Sequence, residues 1–77
     1  MIDEFMTLGQ VQSLVRAKVG RDVSRATLYR WRQYLGFMEP PYIQFHVEAL
    51  ACLGRLIGVG VSPDRAVQMT AERMENK

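Results

Sequence analysis

Between Val23 and Gly36 the chain reads Ser24-Arg25-Ala26-Thr27-Leu28-Tyr29-Arg30-Trp31-Arg32-Gln33-Tyr34-Leu35, and the flanking residues are arranged to hold this segment up. It has the pattern of a short helix with one apolar edge and one polar edge. Ser24 stands where its side chain accepts from the orphan amides of a first turn, and Val23 before it pairs with Leu28 as a hydrophobic staple. At about 100° per residue, Leu28, Trp31 and Leu35 share a narrow sector, while Arg25, Ala26, Tyr29, Arg30 and Gln33 take the other side. One side is built to pack and the other is displayed. Arg32 lies beside Leu28 on the wheel, so it either lays its aliphatic stem over the core edge or reaches a partner's backbone. Trp31 reads as a core anchor and Tyr34 as a margin residue.

N-terminal to this segment, Gly20-Arg21-Asp22-Val23 is a turn short enough to pack a preceding helix against it at a steep angle. That helix is predicted over residues 7–19. Thr7-Leu8-Gly9-Gln10 has the form of a capping box stapled by Met6 and Val11, and Leu8, Val11, Leu14, Val15 and Val19 follow helical spacing up to Gly20. Residues 1–6 are expected as an arm, frayed or loosely docked, from which Ile2, Phe5 and Met6 can reach the core.

Toward the C-terminus, Gly36 ends the helix, and Pro40-Pro41 forbids helical continuation and pushes Glu39 into extended geometry. Residues 37–45 are therefore expected to be extended, with Phe37, Tyr42, Ile43 and Phe45 favouring strand conformation, enough for a single extended turn or a minimal two-stranded hairpin. A third helix is predicted over 46–57, through Val47, Leu50, Leu53, Leu56 and Ile57, with His46 starting it. Gly58-Val59-Gly60 closes it. A fourth is predicted over 63–74, with Ser62 as its cap, Pro63 in the first turn and an inward stripe of Val67, Thr70, Ala71 and Met74, Ala66 at its margin.

A chain of 77 residues holds one small domain, and domains of this size bury only about 60–65% of the surface their unfolded chains expose. The apolar share of 48% and charged share of 23% are those of a globular chain. The sequence has no apolar run long enough to span a membrane and no signal-peptide pattern, which leads to the expectation of a cytoplasmic protein. A single cysteine, Cys52, and a single histidine, His46, exclude an internal disulfide and a tetrahedral Cys/His zinc site. Cys52 fits a small buried thiol, and its spacing from His46 puts the two on different parts of one helix surface. The carboxylates fall at helix ends and turns, where Glu48 and Asp64 favour the helix dipole. No catalytic constellation results; an enzyme, a cofactor and a bound metal are not expected.

The net charge of +2 conceals a segregation. From Arg16 to Arg32 the chain carries Arg16, Lys18, Arg21, Arg25, Arg30 and Arg32 against Asp22 alone, a local balance of +5, and the remainder sums to −3. Surplus positive charge gathered around one helix points to a polyanionic partner. A helix of this size fits the DNA major groove, where Arg25, Tyr29, Arg30 and Gln33 meet base edges; Arg pairs with guanine, Gln with adenine, and Tyr with a thymine methyl or a phosphate. Ser24, Thr27 and the first amides of the helix suit phosphate oxygens, and Arg16, Lys18, Arg21 and Arg32 suit the flanking backbone.

The order helix, turn, Ser24-Arg25-Ala26-Thr27-Leu28-Tyr29-Arg30-Trp31-Arg32, short extended connection, then a helical hairpin with Val59-Gly60-Val61-Ser62-Pro63-Asp64-Arg65-Ala66, resembles the MerR-type winged-helix DNA-binding domain. The resemblance runs from about Thr7 to Met74. The Ser-x-x-Thr-Leu-Tyr-Arg-Trp element is shared with recombinase-like and excisionase-like helix-turn-helix proteins. It implies an all-α, four-helix fold with helix-turn-helix architecture, and a small transcriptional regulator or excisionase-like accessory factor that binds double-stranded DNA. Three departures accompany it. Arg21-Asp22 lengthens the turn and the recognition helix is about one residue longer. The 37–45 connection lacks the Arg and Gly with which the family's wing reaches phosphate, so the wing is expected to be reduced. The family's long dimerisation helix and effector domain have no counterpart, so no small-molecule effector is expected and any weak homodimer must use another surface. The competing reading is a protein-interaction module, an adaptor or small inhibitor on the same scaffold.

Overall fold

A computed structural model describes residues 5–75 and contains α1 (Leu8–Val19), α2 (Arg25–Leu35), α3 (Gln44–Gly58) and α4 (Pro63–Glu75). The described chain is all-helical, and its one element of β pairing is an isolated antiparallel bridge between Met6 and Tyr42. No described helix is long and apolar enough to cross a membrane.

The helix ends follow the sequence closely. At α1, the Thr7 hydroxyl accepts from the Gln10 amide at 3.2 Å while the Thr7 amide donates to Gln10 Oε1 at 2.8 Å, a reciprocal capping box. At α2, the Ser24 hydroxyl accepts from the Thr27 amide at 3.1 Å. Gly20 and Gly36 close these helices with φ of 83° and 78°, a left-handed turn that a Cβ would strain. Val23 and Leu28 are both buried in one cluster, as a staple requires.

Helix α3 is the hub, closely approached by each of the other three. Its Val47, Leu50 and Leu53 are fully buried, and around them lie Val11 and Val15 of α1, Leu28 and Trp31 of α2, and Ala66 and Thr70 of α4. Burying side chains of this kind contributes about 1.5–3 kcal/mol each. Gly54 of α3 makes room for Trp31: a Cβ there would lie 2.6 Å from the indole ring. Helices α1 and α2 accordingly lean on α3 more than on each other, in contrast to the direct packing expected from the short turn. The turn is instead held to α1 by Gln12, whose Nε2 donates to the Val23 carbonyl at 2.9 Å.

Three expectations are corrected, and of the two alternatives for the 37–45 connection the hairpin is not the one observed among the described residues. Pro40 and Pro41 offer no amide donors to a second strand, and Tyr42 accepts instead from the Met6 amide of the arm at 2.9 Å. Helix α3 begins at Gln44, so Phe45 is helical and half-exposed, and His46 is its third residue; the His46 Nδ1 accepts from the Ile43 amide at 3.0 Å and so caps the earlier start. Leu8 and Leu14 are exposed because only Val11 and Val15, with half-buried Val19, lie under α3. On α4, Ala66 and Thr70 form the buried centre while Ala71 is exposed, and the helix continues through Glu75. Met6 packs against the core and Phe5 is exposed; Ile2 lies outside the described residues.

Candidate nucleic-acid interface

The exposed side of α2 faces a concavity of 840 Å³ that it shares with the first turns of α1. Arg25, Ala26, Leu28, Tyr29, Arg30, Arg32 and Gln33 line it from α2, and Leu8, Gly9 and Gln12 from α1. Arg25 and Arg30 are exposed and form no hydrogen bond or ion pair with any described residue, so both guanidiniums are available. Tyr29 is exposed, and its hydroxyl accepts from Gln33 Nε2 at 3.4 Å, one helical turn away. Tyr29 and Gln33 thus present their polar ends side by side. Among the described residues no Asp or Glu lines the concavity.

The hub explains why α2 points this way. Trp31 is anchored against Gly54, which fixes the rotation of the helix about its axis, and the positions opposite Trp31 must then face solvent. Ser24 and Thr27 lie at the N-terminus of α2 with their hydroxyls 3.0 Å apart. That places two small polar groups beside the positive end of the helix dipole.

Of the ten residues expected at a DNA site, the structure gathers Arg25, Tyr29, Arg30 and Gln33 on this face, with Ser24 and Thr27 at its edge. Arg32 also lines the concavity, largely buried, while Arg16, Arg21 and Lys18 are placed elsewhere. Arg32 is 8% exposed. Its Nε donates to the Phe37 carbonyl at 3.1 Å and its Nη2 to that of Met38 at 3.5 Å, and the guanidinium lies 5.7 Å from the Tyr42 ring and 5.8 Å from the Tyr29 ring. This is the inward of the two alternatives, because a planar guanidinium buried here finds carbonyls to satisfy it and aromatic faces to stack on. Arg16 pairs with Asp22 at 2.9 Å, and with Arg21 it borders a separate shallow concavity next to the turn. Arg21 also lies over Gly58 and donates to the Gly54 carbonyl at 3.4 Å. Lys18 is exposed on another side, where its carbonyl accepts two hydrogen bonds from Arg55 and its neighbours are Glu48 and Arg73.

Leu8 and Gln12 are the contributors that sequence reasoning missed. The signal for Gln12 is a polar residue one position after buried Val11, facing the turn. Leu8 carries no such signal, since helical periodicity alone assigns it to the core.

The remaining reactive side chains do not assemble. Cys52 is buried, and the group within reach of its sulfur is Arg73 Nη1 at 3.9 Å. The His46 ring is packed edge-on against Phe37, Tyr42 and Phe45, with centroids 4.7–5.9 Å apart. Cys52 and His46 are separated by about 9 Å of helix rise. Among the described residues no cluster of His, Cys, Asp and Glu could hold a metal ion. Comparison with protein families, with curated proteins and with solved structures finds no match to this chain.

Proposed function

We propose that this chain binds double-stranded DNA, laying α2 in the major groove as the recognition helix of a helix-turn-helix unit similar to the MerR type. The observation that carries this reading is the concavity in which, among the described residues, no acid is present and Arg25 and Arg30 stand unpaired beside the Tyr29 and Gln33 pair. Arg reads guanine and Gln reads adenine through bidentate hydrogen bonds, each worth about 1–3 kcal/mol of discrimination. Ser24, Thr27 and the first amides of α2 contact a phosphate. Arg16 and Arg21 hold the flanking backbone, weakly in the case of Arg16 because Asp22 competes for it. Arg32 supports the fold, and Lys18 faces away. No cofactor or effector enters this reading, which suits a small transcriptional regulator or an excisionase-like accessory factor. Fluorescence anisotropy with sheared mixed genomic DNA at low salt tests it: saturable binding is expected, weakened several-fold in Arg25→Ala and in Arg30→Ala. Absence of binding at low salt would sink it.

A second reading, a protein-interaction module, is favoured by a different surface. Tyr34, Leu35, Phe37, Phe45, Val67 and Met74 line an apolar cleft of 350 Å³ between the end of α2, the start of α3 and α4. Mapping backbone amide shifts on adding DNA separates the two, since changes confined to α3 and α4 would favour the protein partner.

A further inference from the structure

Much of the lining of the α1–α2 concavity is apolar, and the DNA-binding reading above leaves that part unused. Leu8, displaced from the core, is 42% exposed at the first position of α1 and shares the concavity with Ala26 and Tyr29 of α2. Arg25 and Arg30 line the same concavity, and among the described residues no carboxylate does. The surface is therefore an apolar strip within a cationic frame. Its complement is a polyanion that displays apolar groups between its charges. Among the base edges of the major groove, the thymine 5-methyl is the apolar group. Ala26, with a single methyl as its side chain, lets a base edge come close to the axis of α2, and Leu8 closes that space from the side of α1.

Resting on the DNA-binding reading, we propose that Leu8, Ala26 and Tyr29 form a seat for thymine methyl groups, so that this concavity selects thymine-containing duplex DNA. The discrimination is apolar in origin and separate from the hydrogen bonds of Gln33 and the arginines. Each seated methyl contributes about fourfold in affinity, the factor that corresponds to ~0.8 kcal/mol per buried methyl-sized group.

The test uses alternating duplex polymers that differ only in that methyl: poly(dA-dT) against poly(dA-dU), titrated by fluorescence anisotropy at fixed salt with the full chain and with Leu8→Ala. The full chain is expected to bind the thymine polymer at least about fourfold more tightly than the uracil polymer. Leu8→Ala is expected to keep its circular dichroism spectrum while losing most of the preference, its affinity for poly(dA-dT) falling to near that for poly(dA-dU). Equal binding of both polymers by the full chain overturns the methyl seat and leaves the DNA-binding reading standing. A preference that survives intact in Leu8→Ala also overturns the seat. Binding to neither polymer overturns the seat, and a lack of binding to mixed genomic DNA at low salt as well overturns the DNA-binding reading with it.

Discussion

At Gly54 the missing side chain decides how α2 is seated, because a Cβ would lie 2.6 Å from Trp31 and 3.2 Å from Val19. Alanine is the better helix former, so Gly54→Ala sets a modest local gain against forced overpacking, which typically costs about 1–3 kcal/mol. A lower urea midpoint with an unchanged slope is the expected result, checked by equilibrium denaturation. Arg25 and Arg32 offer a contrast seven residues apart on one helix. Arg25→Ala is expected to weaken DNA binding and leave thermal stability within about 0.5 kcal/mol, as for most exposed positions. Arg32→Ala removes the donor that meets the Phe37 and Met38 carbonyls and the cation between Tyr29 and Tyr42. Its expected signature is a fall in melting temperature that does not depend on DNA.

Among the elements, α3 starts on an unusual device. Ile43 has no side-chain acceptor to offer, and the third residue, His46, supplies the reciprocal half of a capping box by accepting from the Ile43 amide. His46→Leu is expected to cost about 1 kcal/mol, the usual scale of a lost cap. His46→Glu should recover much of that, because a carboxylate at this position accepts the same amide and opposes the helix dipole favourably. Thermal unfolding of the two variants side by side checks the order. For α2 the cap is Ser24, and Ser24→Ala is likewise expected to cost about 1 kcal/mol. These two starts differ in how far the sequence revealed them. Ser24 before a polar and apolar period is a familiar signal, whereas a histidine cap behind two prolines and three strand-favouring residues looks like the end of an extended segment.

For the molecule as a whole, the arrangement around α3 predicts where protection resides. The slowest amide hydrogen exchange is expected in α3, whose Val47, Leu50 and Leu53 are fully buried, and the fastest in the 37–43 connection. Proposed DNA binding is expected to weaken steeply with salt, with a slope of about −2 to −4 in log K against log salt, since each neutralised phosphate contributes about 0.9. Arg30→Ala should lower the magnitude of that slope by about one unit if Arg30 meets a phosphate, and leave it nearly unchanged if it meets a base.

Local residue pattern is enough to give the four helices, the caps at Thr7 and Ser24, the left-handed stops at Gly20 and Gly36, and the division of α2 into Leu28 and Trp31 on one side and Arg25, Tyr29, Arg30 and Gln33 on the other. Those features depend on residues within a turn or two of each other, where side-chain type and spacing fix the outcome. Tertiary structure decided the fate of Arg32, the pairing of Met6 with Tyr42, the early start of α3 and the exposure of Leu8. Each depends on what a distant segment offers: carbonyls for a guanidinium to meet, an arm for Tyr42 to pair with in place of a hairpin strand, or the limited reach of α3 along α1. Helical periodicity specifies which face of a helix is apolar, but not how far along that face a neighbour extends.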